Sequence, residues 1–246
     1  MIVMKEEHTN EARLLPYFQQ LQDKVDTEDF VINANCNNPS GTKTVELLCP
    51  RISLDPYQPL LEFNGRKTPE KYAMLEIEWY DSMSLSVEKI GEHAKIWKDV
   101  ASKDGLVNSN YGWCIYSGQN YNQYQHCLNE LKANPDSRRA CMIYTRPSMW
   151  LDHNANGMSD FICTWGTHLF IRNNKLVYIV LQRSMDAIFG LFSDFFWHCT
   201  VYQRFYRDLQ DHMPNLEVGE IIYCPESFHV YERHFDMLKK ICATQI

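Results

Sequence analysis

The 246-residue sequence predicts an α+β fold in one domain spanning residues 1–246. Three observations lead there. Strand-like and helix-like segments are mixed along the chain without a regular βα alternation. No internal repeat and no linker divides them. A chain of this length buries roughly 70% of the surface its unfolded form exposes, so it needs no covalent staple.

Residues 5–24 read as a helix with a polar outer face. NANCNNPSGT (34–43) reads as a turn-rich loop, and KTVELLCPRISL (43–54) alternates as one strand. PEKYAMLEIEWY (69–80) reads as a helix with Pro69 near its start, where a missing N–H costs little. Met74, Leu75 and Trp79 are its expected core-facing stripe. GQNYNQYQHCLNELKANPD (118–136) reads as a helix closed by Asn134-Pro135. Strand-like runs follow at 139–146, 160–172 and 175–183. The last two flank Asn173-Asn174, residues that tolerate the left-handed backbone of a tight hairpin. In a long helix over about 194–210, Trp197, Val201, Phe205 and Leu209 recur every four residues as a buried stripe. EVGEIIYC (217–224) is a further strand, and 230–242 a terminal helix.

Composition narrows the function classes. Hydrophobic residues are 45% and charged residues 22%, which excludes low-complexity disorder and collagen-like repeats. A formal charge of −7 argues against broad nucleic-acid binding, which needs a basic surface, but leaves room for a local phosphate pocket. Nine cysteines, an odd number with no CxxC pair, give neither zinc spacings nor a disulfide framework; no metal is expected. MIVMKEEHTNEARLL has no signal-peptide core, and no apolar run approaches the roughly 20 residues of a membrane span. These points predict a cytoplasmic protein with reduced thiols and no membrane partner.

Cys163 is the candidate nucleophile. A cysteine in an apolar strand is ordinarily a small buried hydrophobe. Arg138, Arg139 and Arg183 change that balance, because cationic neighbours lower a thiol pKa. Adjacent arginines on a strand point to opposite faces, so surface ion pairs and an anion site both stay open for Arg138 and Arg139. Ser184 would add a hydroxyl donor to an anion site.

From Cys163 to Asp194 the sequence resembles the nucleotide site of the thymidylate synthase family: the cysteine, a strand and hairpin, QRSMD (182–186), then GLFSD (190–194). EIEWY (76–80), KIW (95–97), NYG (110–112) and FHVY (228–231) resemble its other elements. NSNYGW (108–113), NPDSRR (134–139), MIYTRPSM (142–149) and GMSDF (157–161) resemble its phage deoxycytidylate hydroxymethylase branch. The resemblance implies a mixed β-sheet packed with helices and a homodimer formed sheet on sheet. It implies transfer of a one-carbon unit from 5,10-methylenetetrahydrofolate to C5 of dCMP, giving 5-hydroxymethyl-dCMP for modified phage DNA in an infected bacterial cytoplasm.

The roles it implies are specific. Cys163 adds to C6 and makes C5 enamine-like. Tyr111 assists loss of the C5 proton, and Glu76 organises water and shuttles protons. Arg183 and Ser184 hold the phosphate, with Arg138 and Arg139 supplied by the partner subunit; Lys43 stands nearest the family's N-terminal arginine. His229 and Tyr231 hold the sugar 3′-hydroxyl. Asp186 binds the folate pterin and Trp97 packs on the folate side. Asp194 stands where thymidylate synthases have asparagine, and a carboxylate accepts from cytosine N4 and shares a proton with N3. Its other reading is an N-cap of the 194–210 helix.

The chain departs from the family at Thr164-Trp165-Gly166-Thr167-His168. Histidine usually follows the cysteine there, and glutamine takes the place of His168. Two other functions stay open: a dCMP 5-methyltransferase releasing dihydrofolate, and a catalytically silent nucleotide- or RNA-binding relative.

Overall fold

The computed structural model describes residues 9–35 and 38–245. The chain begins with α1 (Asn10–Asp26), β1 (Val31–Asn35), β2 (Asn38–Leu48), β3 (Ile52–Leu54), β4 (Glu62–Phe63), β5 (Arg66–Lys67) and α2 (Glu70–Asp81). Next come α3 (Lys95–Val100), α4 (Tyr111–Tyr116), α5 (Gln123–Ala133), β6 (Cys141–Ile143) and α6 (Met149–Asp152). Then follow β7 (Thr164–Arg172), β8 (Lys175–Gln182), β9 (Met185–Asp186), α7 (Gly190–Gln210), β10 (Glu217–Pro225), β11 (Ser227–Tyr231) and α8 (Phe235–Cys242).

The α+β expectation holds. One sheet has the order β3-β10-β8-β7-β6, with β10 and β8 parallel and the other pairs antiparallel. A second has the order β1-β2-β11-β9, with β11 and β9 parallel. α7 touches α2, α5, β8, β9 and β10, and so joins both sheets to the helical layer. Its four-residue stripe of Trp197, Val201, Phe205 and Leu209 is fully buried, as the periodicity requires. The β7–β8 hairpin turns through Asn173 and Asn174 at φ 49° and 61°, as their side chains allow. Among the described residues no helix is long and apolar enough to cross a membrane.

Several element boundaries differ from the expectation. The first helix begins at Asn10, with the Thr9 hydroxyl accepting from the Ala12 N–H at 3.2 Å; residues 5–8 lie outside the described residues. Within 34–43, residues 38–43 are strand rather than loop, because their backbone pairs with β1 at the sheet edge; residues 36 and 37 lie outside the described residues. The 43–54 run is two strands in two sheets. Cys49 takes a left-handed φ of 52° and donates its N–H to the Glu226 carbonyl, which turns the chain from one sheet to the other. In α2 Met74 faces outward, and the buried positions are Ala73, Glu76, Ile77, Trp79 and Tyr80. The 139–146 strand shrinks to β6, which ends where β7 bulges at Trp165. The 160–172 strand starts only at Thr164, so Cys163 stands at a bend before the strand. The terminal helix starts at Phe235, because Val230 and Tyr231 pair with Val45 and Thr44.

The segment 108–112 is fixed from three directions. Buried Asp160 accepts the Asn108 and Ser109 N–H groups, both at 2.7 Å, and the Ser109 hydroxyl at 2.6 Å. Asn110 caps α4 by accepting from the Trp113 N–H at 2.7 Å, and its amide donates to the Trp79 and Ser84 carbonyls at 2.9 Å. Gly112 lets α4 lie against α2: a Cβ there would stand 1.9 Å from the Tyr80 carbonyl oxygen. Gly112→Ala is therefore expected to destabilise the fold by about 1–3 kcal/mol or more, since helix backbone rather than a flexible side chain must yield. The check is thermal or urea unfolding, where a midpoint equal to wild type would refute the tight contact.

Candidate active site

Cys163 and Arg183 form one corner. The Arg183 N–H donates to the Cys163 carbonyl at 2.9 Å, and its guanidinium donates to the carbonyls of Ile162 (3.0 Å) and Phe161 (2.6 Å). The same guanidinium lies 3.8 Å from the Cys163 Sγ and 4.9 Å from the centre of the Phe161 ring. Arg183 is thus held by backbone oxygens, which fixes a positive charge beside the sulfur. Burial nevertheless pushes the thiol up to about 11; Arg183 acts downward, while Asp194, Asp160 and Asp186 add to the rise. The thiol is protonated at neutral pH and must give up its proton as it reacts.

Glu76, which is buried, and Asp194, which is half-buried, form the second corner. Burial pushes Glu76 up to about 8, with the Tyr72 hydrogen bond opposing and Asp194 adding to the rise. Tyr72, one turn earlier on α2, donates its hydroxyl to Glu76 Oε1 at 2.7 Å and accepts from the Trp97 indole at 2.8 Å. Burial pushes Asp194 up to about 6, against the Gln182 hydrogen bond and helped by Asp186. Gln182 Nε2 donates to Asp194 Oδ2 at 2.8 Å and to Thr164 Oγ1 at 3.0 Å. Thr164 in turn donates to the Tyr111 oxygen from its hydroxyl (3.2 Å) and its N–H (3.4 Å). The Tyr111 oxygen is occupied as an acceptor, and its proton is left for a group in the site. Asp194 lies a full turn inside α7, and Phe189 occupies the N-cap position, so the capping alternative is excluded.

Asp186, His229 and Tyr231 line the third side. His229 pairs with Asp186 across β11 and β9 and with Glu46 across β11 and β2. Asp186 Oδ1 accepts from the Ile188 and Phe189 N–H groups at 2.8 and 3.1 Å, which holds the turn into α7. The Tyr231 ring meets His229 edge-on at 4.9 Å. Ser184 is half-buried beside Arg183. Lys43 follows in β2 next to Thr44, the partner of Tyr231, with its ammonium 3.6 Å from Glu232 and 5.2 Å from the Phe30 ring centre.

Two expected residues are not brought here by their own chain. Arg138 and Arg139 precede β6 rather than lying in a strand, and both are exposed. Arg139 donates to Glu130 at 2.7 Å, and the Arg138 carbonyl meets the His168 imidazole at 3.0 Å. His168 thus anchors the loop that carries the two arginines. Trp165 is the extra residue of the β7 bulge, with its side chain 40% exposed. Among the described residues no group of three or more His, Cys, Asp or Glu could hold a metal ion.

A thymidylate synthase family model matches residues 18–245. The chain belongs to the thymidylate synthase family. That family transfers a folate-borne one-carbon unit to C5 of a pyrimidine nucleotide and uses methylenetetrahydrofolate as co-substrate. The chain is similar to the deoxycytidylate 5-hydroxymethyltransferases of Enterobacteria phages T4 and T6, 44% identical over 211 residues, 85% of this chain and 82% of each relative. It is also similar to a Fusobacterium nucleatum thymidylate synthase, 31% identical over 179 residues, 71% of this chain and 61% of that protein.

In this thymidylate synthase family member, three polar residues around the site have no role read from the sequence: Gln182, although it opens QRSMD, and Tyr72 and His198, which lie outside the motifs. Gln182 is fully buried, and the alternation of KLVYIVLQ already puts it on the inward face with Leu176, Tyr178 and Val180. Tyr72 stands four residues before Glu76, the helical spacing at which side chains meet. His198, one turn beyond Asp194, is fully buried against Tyr178, and burial pushes it down to about 3. The spacing on α7 is legible; the neutral state of the ring is not.

The buried carboxyl of Glu76 links stability to pH. In the unfolded chain a glutamate ionises near 4.3, so between about pH 4 and 8 the unfolded chain loses a proton that folded Glu76 keeps. Stability is lost across that window and levels off above about pH 8. Glu76→Gln removes this contribution, so its melting temperature is expected to exceed wild type at pH 8 and to match it near pH 4. The stability difference at pH 8 is on the order of a few kcal/mol, and equal pH slopes for the two proteins would contradict it.

Proposed function

We propose that this enzyme transfers a one-carbon unit from 5,10-methylenetetrahydrofolate to C5 of dCMP and releases 5-hydroxymethyl-dCMP, working as a single catalytic domain. The observation that carries the reading is Asp194, a half-buried carboxylate held by the Gln182 amide 2.8 Å away. Cytosine offers an N4 donor and an N3 acceptor. A carboxyl group whose ionisation is pushed up to about 6 can accept from N4 and share a proton with N3. Uracil offers an acceptor and a donor in those places, which the same carboxylate meets poorly. The similarity to the phage hydroxymethyltransferases supports the same substrate.

In the proposed reaction the Cys163 sulfur bonds to C6, its proton leaves, and the displaced pair makes C5 nucleophilic while N3 takes a proton beside Asp194. C5 bonds to the folate methylene. Loss of the C5 proton, with Tyr111 nearby, and departure of the folate leave an exocyclic methylene. Water adds to that carbon with Glu76 handling its proton, and the C6–S bond breaks with the pair returning to sulfur. Arg183 and Ser184 bind phosphate, and His229 and Tyr231 the sugar. Asp186 and Trp97 face the folate.

The reading also makes the enzyme a homodimer in which Arg138 and Arg139 serve the partner's phosphate. Their exposure and their separation from their own Cys163 cluster support it. So does the sheet face shared by Ile143, Phe170, Val177, Ile179 and Leu181, where Ile143 is 60% exposed and the others are half-exposed. An apolar face of this kind is an interaction surface.

Incubation with dCMP and methylenetetrahydrofolate is expected to yield a product one oxygen heavier than 5-methyl-dCMP, read by mass spectrometry; the methyl product or none would refute the assignment. Asp194→Asn is expected to lose kcat/KM for dCMP by ~30- to 1000-fold, the equivalent of about 2–4 kcal/mol for a lost charge-assisted bond and an unpaired buried donor. An unchanged dCMP:dUMP ratio would remove Asp194 from base recognition. Inactive Arg138→Ala and Cys163→Ser chains are expected to regain activity on mixing, because the mixed dimer holds one site with both the cysteine and the full arginine set. Verified subunit exchange without recovery would refute the shared site.

A further inference from the structure

We propose that the Tyr72 hydroxyl is a positioning group for this reaction: it fixes one oxygen of Glu76 and thereby presents the other to the C5 substituent of the nucleotide. The inference rests on the reading of Glu76 given above and assigns a role to a residue outside the family motifs identified in the sequence.

The geometry fixes the direction of the hydrogen-bond chain. An indole N–H can only donate. Trp97 Nε1 lies 2.8 Å from the Tyr72 oxygen, so that oxygen accepts, and the tyrosine proton is committed to Glu76 Oε1 at 2.7 Å. The reverse polarity is unavailable while Trp97 is in place. The chain is anchored beyond Trp97: its ring packs on Trp79 at 4.8 Å, and the Trp79 indole donates to the Ser86 carbonyl at 3.0 Å. Glu76 is therefore oriented by a run of aromatic side chains.

Tyr72 and Glu76 are four residues apart on α2, where side chains meet along the helix. A glutamate at a buried position of a helix has three rotatable side-chain bonds, and one fixed oxygen removes most of that freedom before substrate arrives. Preorganisation of this kind acts on the chemical step more than on binding. The charged and titratable groups that face Glu76 are Asp194 from α7, with Tyr72 and Tyr80 on its own helix. Asp194 disfavours the ionised form, and the Tyr72 proton favours it.

The test is Tyr72→Phe, which keeps the ring and removes the hydroxyl. Turnover of dCMP with methylenetetrahydrofolate is expected to fall ~10- to 100-fold in kcat, with KM for dCMP changed less than about 3-fold. The ionisation in the kcat–pH profile that Glu76→Gln abolishes is expected to move to higher pH, because the donor that favours the carboxylate is gone. Trp97→Phe, which frees the hydroxyl to turn away, is expected to move that ionisation in the same direction by less. An unchanged kcat in Tyr72→Phe overturns the inference. So does a fall in kcat with the ionisation unmoved in both variants, the mark of a merely structural hydroxyl. Loss of turnover in Glu76→Gln alongside a fully active Tyr72→Phe defeats the inference and leaves the reading of Glu76 standing. Full activity in Glu76→Gln defeats both.

Discussion

Asp194 sits on the inner face of the central helix, and the surrounding structure is arranged to keep a carboxylate there. Burial alone would hold it protonated. The Gln182 amide offsets part of that cost, and it does so because the β8 alternation puts Gln182 on the buried face. Gln182 is steadied by Thr164, which begins β7, and Thr164 is tied to Tyr111 at the start of α4. Residues of α4, β7, β8 and α7 thus meet through hydrogen bonds around one acidic group. Each of the four satisfies another, so replacing one leaves a polar partner unpaired.

Glu76 gives the site its chemical contrast. Glu76 and Asp194 act on each other electrostatically, but their surroundings differ: Glu76 is held by a tyrosine whose own oxygen is engaged by Trp97, and Asp194 by a neutral amide. Their ionisations are pushed up to about 8 and about 6. Glu76 is pushed further towards its protonated form than Asp194. Two carboxyl groups divided in this way can act as an acid and as a base in the same turnover. The arrangement is held against its own desolvation cost by packing elsewhere, above all by the apolar stripe of α7.

Close backbone approach is the other requirement. Gly112 allows α4 onto α2, which stacks Tyr111 on Tyr80 at 5.3 Å. Asp160 collects the N–H groups that lead into α4, so the segment just before Cys163 and the segment just before Tyr111 are held by one side chain. Past Asp160 the chain bends at Cys163 and enters the sheet at Thr164. A strand pattern read from hydrophobicity alone extends through the cysteine, because Phe161 and Ile162 continue the apolar run.

The sequence by itself determined the α+β class, the buried stripe of α7, the Asn173-Asn174 hairpin and the motif residues that identify the family, because periodicity and local turn chemistry are properties of neighbouring residues. It named Cys163, Arg183, Glu76, Asp194 and Tyr111, but through motif order, which carries no distances. Tertiary structure decided the rest. It split 43–54 between two sheets at Cys49, turned Met74 outward while burying Glu76, and kept Val230 and Tyr231 in a strand. It excluded Asp194 as a helix cap and brought in Tyr72, Gln182 and His198 as partners. Each of these depends on contacts between segments far apart in the chain. Desolvation, which sets the state of both carboxyls and of the thiol, exists only once those segments have closed over them.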